Sequence, residues 1–342
     1  MEIKVLHSFH DDLQPAWDSL LQTSAVNVPF LKYGYLKLWW HSLGGGEWEN
    51  GEPYILLGYE QEELVGIAPL FRTVHNGKAL LTFIGSKEIS DYLDLIVSVK
   101  NADGFCDAVL HHLLDEVPDL WDQIDFTNLH FTSLLLHFFQ NTSLSKSVSC
   151  AIEKDQHAPY LILPGSGSWD AYLESLDRKQ RHEIRRKIRR VEQESVNYRF
   201  FFVTDEKDLQ KSGEVFLDLM QEDPAKKIFL VPSMQTHMQS LLSWGFSQYI
   251  LKLCFLEING VLSAGYLCFD DQKTIYIYNS GIHSELQYFS PGWVLLGYLI
   301  QWAIENSRIV VDFMRGDESY KYKFGAVDSF IYKISLSKKK TS

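Results

Sequence analysis

Two stretches of this chain, Leu64-Val-Gly-Ile-Ala-Pro-Leu-Phe71 and Leu262-Ser-Ala-Gly-Tyr-Leu-Cys-Phe269, follow one plan 198 residues apart. Each reads as the second arm of a β-hairpin. The first follows Tyr54-Ile-Leu-Leu-Gly-Tyr59 and the acidic turn Glu60-Gln-Glu-Glu63, and the second follows Ile250–Glu257 and Asn259-Gly260. Asn-Gly supplies the left-handed backbone that a two-residue hairpin turn needs. A helix precedes each hairpin, and a further strand and helix follow in the same order. That repetition predicts an internal duplication into two α/β halves, and a length of 342 residues suits two domains.

In the first half the pattern predicts a strand at Ile3–Leu6 and a helix over Gly34–Leu43 ended by Gly44-Gly45-Gly46. Strands at Ala79–Ile84 and Leu95–Val99, a helix at Gly104–Leu114 and a strand at Gln123–Phe126 follow. Leu163-Pro-Gly-Ser-Gly-Ser168 separates the halves; it holds Gly-x-Gly but no Walker lysine, so it reads as a linker. One long helix is expected after it, with Ser168 as N-cap and a narrow apolar stripe through Leu173, Leu176, Gln180, Ile184, Ile188 and Val191. The expected division is a first domain at 1–160, a linker with the long helix at 161–200, and a second domain at 201–342.

Hydrophobic residues make up 46% of the chain, which excludes global disorder. The apolar runs Phe131–Phe139 and Trp293–Ile304 are too short to span a bilayer. Asp11 and Asp12 interrupt the region where an export signal would need an apolar run, so the expected setting is soluble and cytoplasmic. Cys106, Cys150, Cys254 and Cys268 lack metal-ligand spacing and read as reduced thiols, with a Cys254–Cys268 bridge as the alternative. No metal site is expected. Residues 178–190 hold eight Lys/Arg and one Glu, a charge of +7, so the rest of the chain carries −19 against a total of −12. This basic element has three readings: contact with tRNA phosphates, contact with an anionic membrane surface, or a solvated face.

Chemistry-bearing residues concentrate in 274–325. Thr274–Asn279 is an expected strand with Tyr276 and Tyr278 on one face, followed by a loop over Ser280–Phe289. Ser290-Pro291-Gly292 then opens a helix through Trp293, Leu296, Leu299, Ile300 and Ala303. A helix start of small residues and proline presents backbone N–H groups to an anion; the plainer reading is an ordinary helix start with Pro at its first position. Ile309–Met314 reads as a buried strand, with Arg315-Gly-Asp-Glu-Ser-Tyr-Lys321 directly after it. Loops after core strands are where α/β folds place reactive groups, and a solvated charged turn is the alternative. No Cys or Ser is visibly paired with a His, so the expectation is direct transfer without a covalent intermediate. Acyl transfer to an amine needs a base, for which Glu318 or Asp312 is the candidate, and an acid, for which Tyr320 is the candidate. Lys321 and Arg315 are the candidate anchors for phosphate or carboxylate.

The run Val311-Asp-Phe-Met-Arg-Gly-Asp-Glu-Ser-Tyr-Lys-Tyr-Lys-Phe-Gly-Ala326, with Ser280–Glu305 before it, resembles the GNAT-fold acyltransferases of the cellulose-biosynthesis CelD-like group, relatives of the Fem-type aminoacyltransferases. The basic run Ser175–Glu192 and Phe83–Asp94 also resemble parts of that family. The resemblance covers roughly 35–335 and is densest over 278–325. It implies tandem GNAT-like domains, each a mixed, mostly antiparallel sheet flanked by helices, with the donor cleft in the second. Acyl-CoA is the implied donor, and the implied acceptor is an amine or hydroxyl of an envelope- or polysaccharide-related molecule. Ser290, Pro291, Gly292 and Trp293 would then meet the donor phosphates, with Arg315 nearby. Tyr278 and Asp317, together with Asp91 and Tyr92 of the first half, would meet the acceptor; by local pattern alone Asp91, Tyr92 and Asp94 are turn residues before a strand. The chain departs from the usual phosphate loop of that fold in keeping only Gly292 of its spaced glycines. An aminoacyl-tRNA donor, or a binding protein that no longer catalyses, are the alternatives.

Overall fold

The computed structural model describes residues 1–142, 148–165 and 167–339, so Ser166 of the linker stretch lies outside the described residues. The chain forms two compact units, Met1–Gln156 with Phe330–Ser342, and His157–Ser329.

The first unit is built on β1 (Glu2–Leu6), β2 (Glu52–Glu60), β3 (Glu63–His75), β4 (Lys78–Phe83), β5 (Ile96–Val97), β6 (Gln123–Leu129) and β7 (Val148–His157). The second uses β8 (Tyr160–Ile162), β9 (Tyr198–Phe202), β10 (Leu251–Ile258), β11 (Val261–Asp270), β12 (Thr274–Ile282) and β13 (Val310–Asp312); β14 (Phe330–Lys338) is last in the chain. The sheets run β1-β2-β3-β4-β6-β14-β7, with β5 on β3, and β9-β10-β11-β12-β13-β8.

Both sheets follow one path. Four consecutive strands pair antiparallel. A helical crossover then brings in a parallel fifth, β6 on β4 and β13 on β12, and a sixth strand pairs antiparallel beyond it. The hairpins even share a bulge. Gly58 faces Gly66 and Tyr59 faces Leu64, leaving Val65 extra. Leu256 faces Ala264 and Glu257 faces Leu262, leaving Ser263 extra. Val65 and Ser263 are 198 positions apart, the offset at which the two hairpin sequences align.

The boundaries differ from the expected division. The C-terminal strand β14 pairs with β6 of the first sheet, burying Ile331, Ile334 and Leu336. The sixth strand of the second sheet is β8, from a segment expected to be linker. Strand pairing across some 200 residues leaves no trace in local periodicity.

After α1 (Gln14–Gln22), α2 (Tyr33–Gly46), α3 (Ala102–His111) and α4 (Leu134–Asn141) of the first unit, the expected long helix is two helices, α5 (Trp169–Ser175) and α6 (Arg178–Glu194). Ser168 caps the first, its side chain accepting from the Ala171 N–H at 3.3 Å. Leu176 is extended, and Asp177 caps the second by accepting from the Lys179 and Gln180 N–H groups at 2.8 and 3.0 Å. A carboxylate that satisfies two orphan N–H groups favours a fresh start over continuation. The apolar stripe keeps its expected direction, with Leu173, Ile184 and Val191 buried. α7 (Glu206–Gln221), α8 (Pro224–Phe229) and α9 (Pro232–Ser247) follow before β10. α10 (Pro291–Glu305) crosses from β12 to β13, apolar on nearly every side because the sheet and α6 both cover it. The thiols of Cys254 and Cys268 are free and buried, with Cys254 facing Tyr266 and Cys268 facing Lys252. Among the described residues no helix is long and apolar enough to cross a membrane.

Candidate active site

β12 and β13 pair only from Thr274↔Val310 to Tyr276↔Asp312, and then part. Two local features separate them. On β12, Leu267 faces Asn279 while Cys268 faces Ile277, so Tyr278 is a bulge residue and the strand bends there. On β13, the Asp312 carboxylate accepts from the Met314 N–H at 2.8 Å, and Met314 takes φ +59°, turning the chain away.

The loop beyond Met314 is wound around one ammonium. Lys321 Nζ donates to the carbonyls of Arg315 at 2.7 Å, Gly316 at 3.0 Å and Met314 at 3.4 Å, and pairs with the Glu318 carboxylate at 2.8 Å. This arrangement starts α11 (Ser319–Lys323), which carries Tyr320 just beyond the parted strands. A pocket of about 280 Å³ lies there, lined by Lys187, Tyr266, Ser280, Ile282, Gln287, Ser290, Pro291, Gly292, Trp293 and Tyr320.

Its lining carries one lysine, Lys187, and two phenols, Tyr266 and Tyr320. Lys187 of α6 holds Nζ 3.6 Å from the Trp293 ring centroid, and pairs with Glu183 at 3.3 Å. Burial lowers its pKa below the ordinary lysine value; Glu183 opposes that, while the positive charges of Arg186 and Lys323 add to it. Lys323 approaches the same ring at 5.5 Å. The Tyr320 hydroxyl is pushed above the ordinary phenol range by burial first, then by the charges of Glu318 and Cys268. Burial also raises Tyr266, whose OH donates to the Gly292 carbonyl at 3.3 Å. Behind Ser280, Lys226 of α8 donates to its carbonyl and, at 3.1 Å, to its hydroxyl. Burial lowers the Lys226 pKa, against the raising influence of Asp223 and Glu318.

Of the residues singled out from sequence, the pocket brings together Ser290, Pro291, Gly292, Trp293 and Tyr320. Several others are corrected. Lys321, expected as a catalytic or anchoring group, is 2% exposed and its donors are committed to its own loop, so it is a positioning residue. Asp312, a candidate base, is buried and holds the Met314 turn. Arg315 and Asp317 are outside the pocket lining, and Asp317 faces solvent. Tyr278 is outside it too, its ring 5.5 Å from Phe269 because the bulge re-aims it. Glu318 is likewise exposed and outside the pocket lining, but its charge acts on both Tyr320 and Lys226. Asp91 and Tyr92 belong to the first unit and are buried there, with Tyr92 edge-on to His130 at 4.8 Å.

The expected backbone cradle is also reduced. The N–H groups of Trp293 and Val294 both reach the Ser290 carbonyl, at 3.0 and 3.2 Å. Gly292 is a packing glycine: a Cβ there would lie 2.6 Å from Ile282 Cδ1. Lys187, Tyr266, Ser280, Ile282, Gln287 and Lys226 were not singled out as site residues. One signal existed: Lys187 falls between Ile184 and Val191 at helical spacing, at the edge of the buried stripe and not on the solvated face.

This is a two-sheet α/β chain with a GNAT fold in its C-terminal half, the model of the acetyltransferase (GNAT) domain matching residues 178–322. No curated protein sequence matches the chain. Its fold is similar to that of FemX, with a TM-score of 0.64 at 11% identity over 98% of this chain and 97% of that one. It is also similar to a conserved protein of unknown function from Bacteroides thetaiotaomicron, at TM-score 0.59 and 11% identity over 98% and 100% of the two chains. The C-terminal domain assigned to a lysylphosphatidylglycerol synthetase of Agrobacterium fabrum gives 0.55 and 10% over 95% and 91%.

Proposed function

We propose that the second unit transfers an acyl group from a phosphate-bearing donor, acyl-CoA in the first instance, to an amine or hydroxyl acceptor. The observation that carries this reading is the pocket at the start of α10, which Lys187 and Tyr320 both line. The acyl carbonyl lies along the β12 edge beyond Tyr276, where no strand competes for backbone donors. The donor's phosphates lie toward Lys187, Lys323 and the start of α10.

In the reaction the acceptor's lone pair forms a bond to the acyl carbon, the carbonyl π electrons move onto oxygen, and collapse of that oxyanion expels the thiolate. Tyr320, kept protonated by burial, gives its proton to the thiolate. Glu318 takes the proton lost by the acceptor, fixed at the start of α11 by its pair with Lys321. The narrower placement, in the CelD-like group with an envelope or polysaccharide acceptor in the cytoplasm, rests on the sequence resemblance.

A second reading, an aminoacyl group carried on tRNA, is favoured by one observation: the turn Ser284–Phe289 before α10 is a tight 3₁₀ helix and not a glycine-spaced phosphate loop. Calorimetric titration with acetyl-CoA, longer acyl-CoAs and free CoA separates the readings. Saturable binding that weakens when Lys187 is replaced supports the CoA donor; no binding to any of them defeats it.

A further inference from the structure

The outward face of α6 takes no part in the pocket. Opposite its buried stripe, exposed side chains recur at Arg178, His182, Arg186, Arg189 and Gln193, with Lys179 beside them. Of the helix's own carboxylates, Glu183 pairs with Lys187, while the exposed Glu192 and Glu194 at its C-terminal end accept from Tyr298 and Tyr288. Arg178, Lys179, Arg186 and Arg189 have no ion-pair partner among the described residues. The result is a cationic line about 17 Å long, from Arg178 to Arg189, on a body whose remaining charge is strongly negative.

Apolar side chains stand exposed beside it. Tyr288, 59% exposed, lies against Arg190, whose guanidinium is 4.6 Å from its ring. Past the end of α6, Val196 is 91% exposed, and its N–H donates to the Asn259 side chain at 2.8 Å. That bond sets Val196 beside the Asn259-Gly260 turn, where Val261 is 41% exposed. Phosphates of a nucleic acid would use the cations and leave the two valines in water. An anionic bilayer uses both, the cations at the headgroups and the valines and tyrosine at the acyl boundary.

We propose that the outward face of α6, with the Val196–Val261 corner, docks on an anionic lipid surface. Lys187 projects from the same helix into the pocket, so docking holds that pocket close to the lipid-water boundary and suits an acceptor presented there.

The test is sedimentation of the full chain with phosphatidylcholine vesicles, pure or with about 30% phosphatidylglycerol. Saturable binding to the anionic vesicles alone is expected. The R186Q/R189Q variant should weaken it about 25-fold, at roughly fivefold per cation. V196S/V261S should weaken it several-fold at unchanged charge. All four side chains are exposed, and a thermal melt verifies folding. No association with anionic vesicles, or association indifferent to both variants, overturns the proposal. So does tighter binding to a structured RNA that depends on the arginines and ignores the valines. Vesicle binding is read without donor or turnover, so its failure is distinct from failure of the transferase reading.

Discussion

The Lys187 ammonium lies 3.6 Å from the centroid of the Trp293 ring, which joins α6 to the first turn of α10 across the mouth of the pocket. The aromatic face offsets part of the cost of burying that cation, by about 1–2 kcal/mol. Replacing Lys187 with methionine keeps the stem and removes the charge. Donor affinity should fall about tenfold, the loss expected for one charge-assisted contact, with Tm little changed. Calorimetry on both proteins checks this, and an unchanged Kd would remove Lys187 from the donor site.

Tyr320 lines the same pocket. Tyr320→Phe deletes only the hydroxyl, so turnover should drop on the order of 100-fold while donor Kd stays within about twofold. Turnover equal to that of the parent would exclude Tyr320 as the proton donor.

Stability should depend on pH through Asp94. Burial raises its carboxyl to about 7, against lowering contributions from Ser133 and the Leu95 N–H. The folded state therefore holds a proton that the unfolded chain releases near pH 4, so stability falls as pH rises from about 4 to about 7 and levels off above. The size is on the order of 4 kcal/mol. Urea melts across that range should show the slope, and Asp94→Asn should flatten it. Glu47, raised to about 7 mainly by burial, adds to the same trend.

Two glycines should respond in opposite ways to alanine. A Cβ on Gly281 would meet the Leu219 carbonyl carbon and the Met220 nitrogen at 2.7 Å, both backbone, so β12 and α7 would have to separate. Gly281→Ala should cost about 2–3 kcal/mol. Gly104, exposed in the helix Ala102–His111, has only Met1 Cε at 3.9 Å. Gly104→Ala should stabilise by about 0.5 kcal/mol. Thermal melts of the pair test both signs.

Asp270, buried, accepts from Arg308 Nε at 2.9 Å and Nη2 at 2.6 Å, tying the end of β11 to the segment before β13. Asp270→Ala leaves that guanidinium without its partner and should cost about 3 kcal/mol. A chemical-denaturation midpoint unchanged by the substitution would show the pair contributes nothing net.

What is periodic or local was legible along the chain. The 198-residue offset between Leu64–Phe71 and Leu262–Phe269 carried the duplication, to which strand pairing adds the matching bulges at Val65 and Ser263. The stripe Leu173–Val191 set the buried side of the helix, and the position of Ser290-Pro291-Gly292 marked where α10 begins. Tertiary structure decided what depends on distant partners. A strand does not encode which other strand it pairs with, so β14 joining the first sheet and β8 joining the second were not legible. Nor does a charged residue encode whether its charge meets solvent, ligand or backbone. Lys321 and Asp312 read as reactive groups, yet three carbonyls and one N–H claim them. Lys187 read as one cation among eight, yet burial beside Trp293 sets it apart. Local pattern fixes where a backbone turns and which face it hides, whereas the environment of a charge is set by elements far along the chain that arrive only on folding.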